Sequence, residues 1–260
     1  MKALITGASG TIGTVLCMLL RQRNFEVITW NRNKVPVDNY QAMEDFVRDI
    51  KPDVLIHLAF ASIPTGITNE SWKINYEWTS ELAWITRQLG VKFLFTSTNL
   101  VFSDKQQGPF NTSAQPDAEY GYGYEKRMAE QRVFSQNPHA VIVRLGWQIG
   151  SAAGNNNMID YLQRQMNDFG EIQANINWKP ACSFINDTAE KLLALATDYS
   201  PSVYMMDANM CWNFFEIASA LNKLHGFPWK IKSVSGAVLD NRMIDPRIQI
   251  NGLNEHLIFG

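Results

Sequence analysis

A short apolar run, Lys2–Thr6, stops at Gly7, and Gly10 and Gly13 follow at three-residue intervals as helical spacing begins. From Thr11 to Gln22 the apolar residues Ile12, Val15, Leu16, Leu19 and Leu20 fall on one face. Few folds accept a buried strand that turns at once into a helix through glycines. The turn leaves the first helical N–H groups bare, and a glycine there lets an anion approach the backbone closely. Glycine is common in this chain, with 16 of 260 residues. The position of the triplet between strand and helix therefore carries more weight than its spacing.

The rest of the chain repeats the alternation. Further strands are expected at Glu26–Trp30, Asp53–Ala59, Lys92–Ser97 and Ala140–Trp147. Helices are expected at Tyr40–Ile50, Trp72–Leu89 and Glu119–Ser135, and a long polar loop at Thr98–Ala118. Strand–helix alternation implies an α/β fold, a doubly wound parallel sheet of the Rossmann type. Beyond Gly150 the pattern loosens into Ser151–Asn157, a linker or hinge, followed by helix candidates Met158–Phe169 and Asp187–Tyr199 and a strand at Ser202–Asp207. Asn213 with Glu216 reads as a capping box for a helix closing at Gly226. The expected organisation is a dinucleotide-binding domain over 1–150 and a smaller, mixed α/β substrate lobe over 151–260. The boundary is soft, with at least one segment returning to the main sheet.

Composition excludes several classes. With 46% hydrophobic residues the chain can bury a core, and a net charge of −2 offers no footprint for nucleic acid or an anionic membrane. No apolar stretch reaches the length of a membrane span, and a strand starting at Lys2 leaves no room for a signal peptide, so a cytoplasmic protein is expected. Cys17, Cys182 and Cys211 are scattered and read as reduced thiols; the four histidines show no metal-ligand spacing.

Two features carry chemistry. The second strand ends in Asn31–Arg32, where a carboxylate would select an unphosphorylated adenine ribose; its absence and the Arg32 guanidinium favour NADP(H) over NAD(H), which stays possible. Asp38 lies farther on, where it can contact adenine. Of the tyrosines at 120, 122 and 124, Tyr122 alone has a lysine four residues on, Lys126, on the same helical face. A lysine ammonium beside a phenol is expected to favour phenolate and bring it into a useful range. Thr98, at the end of the fourth strand, offers a hydroxyl to a carbonyl oxygen.

With these residues in place the chain resembles the extended short-chain dehydrogenases/reductases, and among them the dTDP-4-dehydrorhamnose reductase group. GASGTIG at 7–13 resembles the cofactor loop, HLAFA at 57–61 the segment lining the cofactor and TSTNLVFSD at 96–104 the STDYVF segment. YGYEKRMAEQ at 122–131 resembles YGxxKxxxE, RLGWQIG at 144–150 the strand toward the substrate, and PACSFINDTA at 180–189 the SPTYVxDLA segment. The resemblance implies Thr98, Tyr122 and Lys126 as catalytic residues. It implies cofactor contacts from Gly7, Ser9, Gly10, Thr11, Ile12, Gly13, Asn31, Arg32, Leu58, Ala59 and Ala61, together with Tyr122 and Lys126. It also implies hydride transfer to the 4-keto carbon of a nucleotide-activated deoxysugar, with Tyr122 as proton donor, and is compatible with a homodimer.

Asn99 and Leu100 stand where the family has aspartate and tyrosine, and 260 residues is short for the family, so the expected substrate pocket is altered or incomplete. Three other functions fit the same scaffold. One is a nucleotide-sugar epimerase, for which Cys182 is placed as an acid–base group, although a small buried residue is the simpler reading. Another is a regulatory subunit that binds NADP without turnover. A reductase of a non-nucleotide carbonyl is the third.

Overall fold

The structure, a computed structural model, describes residues 1–61, 68–152, 154 and 156–257. It divides into two compact units, one of Met1–Ser103, Gln115–Arg144 and Ala189–Tyr204, the other of Asp104–Ala114, Leu145–Thr188 and Met205–Gly260.

The first unit is built on a parallel sheet. Its strands are β1 (Lys2–Thr6), β2 (Glu26–Thr29), β3 (Val54–His57), β4 (Lys92–Thr98), β5 (Val141–Leu145) and β6 (Ser202–Met206). The last two residues of β6 belong to the second unit. The strand order is β6-β5-β4-β3-β1-β2. The chain leaves β1 first for β2 on one side and then for β3 on the other. The gap between the carboxyl ends of β1 and β3 is therefore the topological switch point, where open α/β sheets bind ligands. Thr6 and His57 are register partners at that gap.

The helices of this unit include α1 (Thr11–Gln22), α2 (Tyr40–Ile50), α3 and α4 (Gly121–Gln136), with most of the helix Ile185–Thr197. α3 runs through Glu70–Trp72, a π-helical stretch Lys73–Trp78, and Thr79–Gln88. α1 and α2 begin differently, and sequence explains the difference. The Asn39 side chain accepts from Ala42 N–H at 3.0 Å and caps α2. α1 starts at Gly10, which has no side chain to cap with, and its first turn carries no acid. The core joins Leu4, Met43, Val47, Leu55, Trp78, Phe93, Phe95 and Ile142. The expected bounds of α1 and α2 match those observed, and those of β1 likewise.

The second unit packs the helices Met158–Phe169 and Phe214–Leu224 with short parallel pairs such as Ile172–Asn175 with Ile231–Val234. Its core includes Ile149, Met158, Leu162, Phe214, Ile217 and Trp229. Asn213 and Glu216 form the capping box the sequence pattern indicates, and Gly226 follows at φ +76°. The expected strand Ala140–Trp147 breaks at Gly146, a position where a Cβ would lie 2.5 Å from the Ala181 carbonyl. Ala153 and Asn155, within the expected linker, lie outside the described residues. No described helix is long and apolar enough to cross a membrane.

Candidate active site

The three loop glycines do different jobs. A Cβ on Gly13 would stand 2.1 Å from the Gly7 carbonyl oxygen, and one on Gly7 would stand 2.7 Å from the Ala59 nitrogen. Gly7 also sits at φ +68°, in the left-handed region. Both positions are glycine because the backbone of β1, α1 and the segment after β3 converge there. Gly10 is another matter. Its Cβ would only approach Gly7 O at 3.2 Å, so the fold tolerates a side chain there. What a side chain would fill is the space in front of the uncapped α1 terminus. That space and the positive end of the helix dipole fit a dinucleotide pyrophosphate.

Around this loop the sequence-derived contacts sort by exposure. Ser9 and Gly10 are exposed, Thr11 and Ile12 half-buried, and Leu58 is buried while Ala59 and Ala61 are half-buried. Asn31 is committed locally, its side-chain oxygen accepting from Asn33 N–H at 2.9 Å. Arg32 is mostly exposed and reaches Glu70 at 4.0 Å.

A hydrogen-bond chain fixes the segment after β3. Ala59 N–H donates to Thr6 Oγ1 (3.2 Å), and Thr6 Oγ1 meets His57 Nδ1 at 2.7 Å. His57 Nε2 meets Thr79 Oγ1 at 2.9 Å, and that hydroxyl donates to Asn75 O at 3.0 Å. Because the Thr79 proton goes to the Asn75 carbonyl, Thr79 must accept from His57. The imidazole is therefore the Nε2–H tautomer, receiving the Thr6 proton at Nδ1. Complete burial pushes its pKa well down, and the Lys126 charge pushes it further. His57 is thus a neutral structural link, stacked near Phe95 and edge-on to Trp78.

Asn75, in the π-helical stretch, grips the backbone of Ala61 on both edges. Its side-chain oxygen accepts from Ala61 N–H (2.9 Å) and its nitrogen donates to Ala61 O (2.7 Å). The same nitrogen donates to Glu125 Oε2 at 2.7 Å, and Ser71 Oγ donates to that oxygen at 2.6 Å. A π-turn commonly marks a functional position. Here it places one amide against both the segment after β3 and α4.

Tyr122 and Lys126 lie one turn apart on α4. Lys126 is 1% exposed, with Nζ 4.1 Å from the Phe95 ring centroid and 5.9 Å from that of Tyr122. Burial lowers its pKa to about 7, against the pull of Glu130 and Glu125 upward. Tyr122 packs against Phe60, ring centroids 5.9 Å apart. Burial raises its pKa far above the ordinary phenol value and Glu125 adds to the rise. The expectation that Lys126 lowers the Tyr122 pKa is therefore corrected. Nζ faces the ring of Tyr122, and desolvation outweighs any help to the phenolate. At neutral pH Tyr122 carries its proton.

Thr98 ends β4, and its Oγ1 accepts from Leu100 N–H at 3.2 Å, opening the 3₁₀ turn Asn99–Val101 and leaving its own proton to donate. Ser97 beside it holds a buried hydroxyl without a hydrogen-bond partner. Gly123 brings the two halves together: a Cβ there would sit 2.1 Å from Leu100 O, so only glycine lets this turn lie against the start of α4. The glutamate of the YGxxKxxxE pattern, Glu130, is bound by Arg144 through two hydrogen bonds (3.0 and 2.7 Å), both side chains buried. It serves packing. His57, Asn75, Gly123 and Glu125 were not singled out from sequence. His57, Gly123 and Glu125 lie inside quoted segments, and Gly123 alone falls on a fixed position of YGxxKxxxE; Asn75 lies in none. In the second unit Cys182 is fully buried, and burial pushes its thiol pKa well up, which suits a core residue and not an acid–base group.

A Rossmann-like parallel sheet with a glycine turn at its switch point and a tyrosine–lysine pair on a neighbouring helix defines an oxidoreductase scaffold. The chain belongs to the RmlD substrate binding domain family, matched over residues 1–237, within the extended short-chain dehydrogenases/reductases. It is 23% identical to the spore coat polysaccharide biosynthesis protein SpsK of Bacillus subtilis (strain 168) over 252 residues, 96% of this chain and 88% of that protein. It is 28% identical to the dTDP-4-dehydrorhamnose reductase of Streptomyces griseus over 156 residues, spanning 58% of this chain and about half (51%) of the relative. Among solved structures, the dTDP-4-dehydrorhamnose reductase of Bacillus anthracis str. Ames, in complex with NADP, superposes with a TM-score of 0.84 at 18% identity, covering 99% of this chain and 97% of that one.

Proposed function

We propose that this protein reduces the 4-keto group of a nucleotide-activated deoxysugar with a nicotinamide dinucleotide, NADPH in preference to NADH. The observation that carries the reading is the protonated Tyr122 one turn from a buried Lys126, on the helix that Gly123 holds against the Thr98 turn. When bound, the dinucleotide supplies the hydride. Thr98 donates a hydrogen bond to the substrate oxygen and polarises the carbonyl. Tyr122 gives its proton to the oxygen as negative charge develops there, the task of a general acid. Lys126 holds the nicotinamide ribose, and Gly10 with the bare α1 terminus receives the pyrophosphate. Arg32, at the rim of the loop, pairs with a ribose 2′-phosphate. The second unit, Asp104–Ala114, Leu145–Thr188 and Met205–Gly260, forms the substrate lobe.

Relatives named for polysaccharide and deoxysugar biosynthesis support the substrate class, and the NADP and NAD+ held by two structural neighbours support a nicotinamide cofactor. Asn99 and Leu100 carry no titratable group, which disfavours a dehydratase on this scaffold. The test mixes purified protein with NADPH and a panel of dTDP-, GDP- and UDP-4-keto sugars and follows loss of nicotinamide absorbance. Turnover on one of them is expected. Stoichiometric NADPH binding without turnover on any carbonyl would instead support a regulatory subunit.

A further inference from the structure

The loop after β2 is held by its own bonds. Trp30 is buried, edge-on to Phe46 and to Trp78 of α3, and its Nε1 donates to Val35 O at 3.0 Å. Lys34 and Val35 N–H both donate to Asn31 O, at 3.0 and 2.9 Å. The backbone around Arg32 is therefore fixed, while its side chain stands 56% exposed. Two ion pairs join this loop to the start of α3. Arg32 meets Glu70 at 4.0 Å, and Asp38 meets Lys73 at 3.5 Å. Residues just past the second strand of a dinucleotide fold face the adenine ribose, where a 2′-hydroxyl and a 2′-phosphate differ. The end of β2 itself carries no carboxylate, yet the fold brings one beside Arg32 from the helix after β3.

The two members of that pair differ in freedom. The Glu70 side chain is 17% exposed and sits in the first turn of α3, where the helix dipole favours an acid. Arg32 is long and mostly in solvent, and a pair of this kind is weak. A 2′-phosphate, whose oxygens fit a guanidinium fork, can draw Arg32 away. Glu70 stays behind, and the phosphate then stands near a carboxylate. Lys73, another cation of this rim, is already engaged by Asp38.

We propose, resting on the reading that a nicotinamide dinucleotide occupies the glycine turn, that Glu70 is a specificity-determining residue. It competes with the 2′-phosphate for Arg32 and repels that phosphate, and so narrows the preference for NADPH over NADH. NADH leaves the Arg32–Glu70 pair intact, whereas NADPH must break it.

Nicotinamide fluorescence titrations of the whole protein with NADPH and with NADH give the ratio of the two affinities. A merely structural loss weakens both complexes and leaves that ratio alone. Glu70→Gln removes the charge and keeps the shape. It should tighten NADPH roughly three- to tenfold and leave NADH within about twofold. The gain should shrink as salt is added, because a charge effect at an exposed rim is screened. Arg32→Gln should weaken NADPH and spare NADH. An equal effect of Arg32→Gln on both would take the 2′-phosphate away from Arg32, and the proposal with it. A weaker NADPH complex in Glu70→Gln would mean that Glu70 orients Arg32 for the phosphate, and an unmoved ratio would mean that the pair is incidental; either result overturns the proposal. Binding of both dinucleotides with an unmoved ratio leaves the reductase reading standing, whereas folded wild-type protein that binds neither would defeat that reading itself.

Discussion

The glycine turn and the Tyr122–Lys126 turn are two short stretches of one unit, and they are held by different forces. At the glycine turn everything is backbone geometry. Gly7 and Gly13 are fixed by contacts of 2.7 and 2.1 Å that a Cβ would make, and no charge is involved. At the pair, electrostatics and burial decide: a lysine amine over an aromatic ring, and a phenol that burial drives to stay protonated. A turn built on sterics is intolerant of added volume and indifferent to pH. A pair built on charge tolerates changes of similar volume but responds to pH and to every nearby ion. The two sites can be told apart by which perturbation each resists.

The sharpest break in that comparison is Tyr122→Phe. It removes one oxygen and hardly alters packing, so dinucleotide binding should stay within about twofold of wild type. Turnover should fall on the order of a thousandfold, the scale of a lost general acid. Unchanged turnover in a protein that still binds would exclude Tyr122 as the proton donor and move the search to Thr98 or a water.

The next effect falls on the other turn. Gly13→Ala places a methyl against the Gly7 carbonyl and should lower the unfolding free energy by about 2–3 kcal/mol, as overpacking does. Gly10→Ala, with its 3.2 Å approach, should cost less than about 1 kcal/mol in stability yet weaken dinucleotide binding several-fold, since its methyl enters the space left for phosphate. Urea denaturation and fluorescence titration of the two variants give the pattern. Equal stability losses, or unaltered affinity in Gly10→Ala, would mean that all three glycines serve the fold alone.

The same contrast explains what could be read in the sequence. Alternating periodicity gave β1, α1 and α2 with their bounds, because apolar spacing and punctuating residues are local. The loop glycines were readable for the same reason: a missing Cβ is written at its own position. The i,i+4 relation of Tyr122 and Lys126 was equally local. What surrounds the pair was not. Asn75 reaches Ala61, 14 residues away, and Glu125, 50 residues away. His57 meets Thr6 and Thr79 across 51 and 22 residues. A buried Asn or His in a helix or strand pattern looks ordinary until the fold supplies its partners. Nor could spacing show how far the Tyr122 hydroxyl is desolvated, which is why the expected lowering of the phenol pKa came out with the wrong sign.

The smallest effect tests the charge side of the comparison without substrate or cofactor. Lys126 has a pKa of about 7 in the fold against an ordinary 10.5, with burial the largest cause. Below pH 7 both folded and unfolded chains carry the proton, and the cost of burying it is felt in full. Between pH 7 and about 10.5 the folded protein sheds the proton while the unfolded chain keeps it, so stability from this group rises with pH. Lys126→Met keeps most of the stem and removes the ammonium, so it has no such dependence. Urea denaturation of the ligand-free proteins should show wild type gaining on Lys126→Met by up to about 2 kcal/mol from pH 7 to pH 9. The gap between wild type and Gly10→Ala should stay flat over the same range. Parallel pH curves for wild type and Lys126→Met would mean that the ammonium is solvated or paired in solution. The contrast between a steric turn and an electrostatic one would then lose its second half.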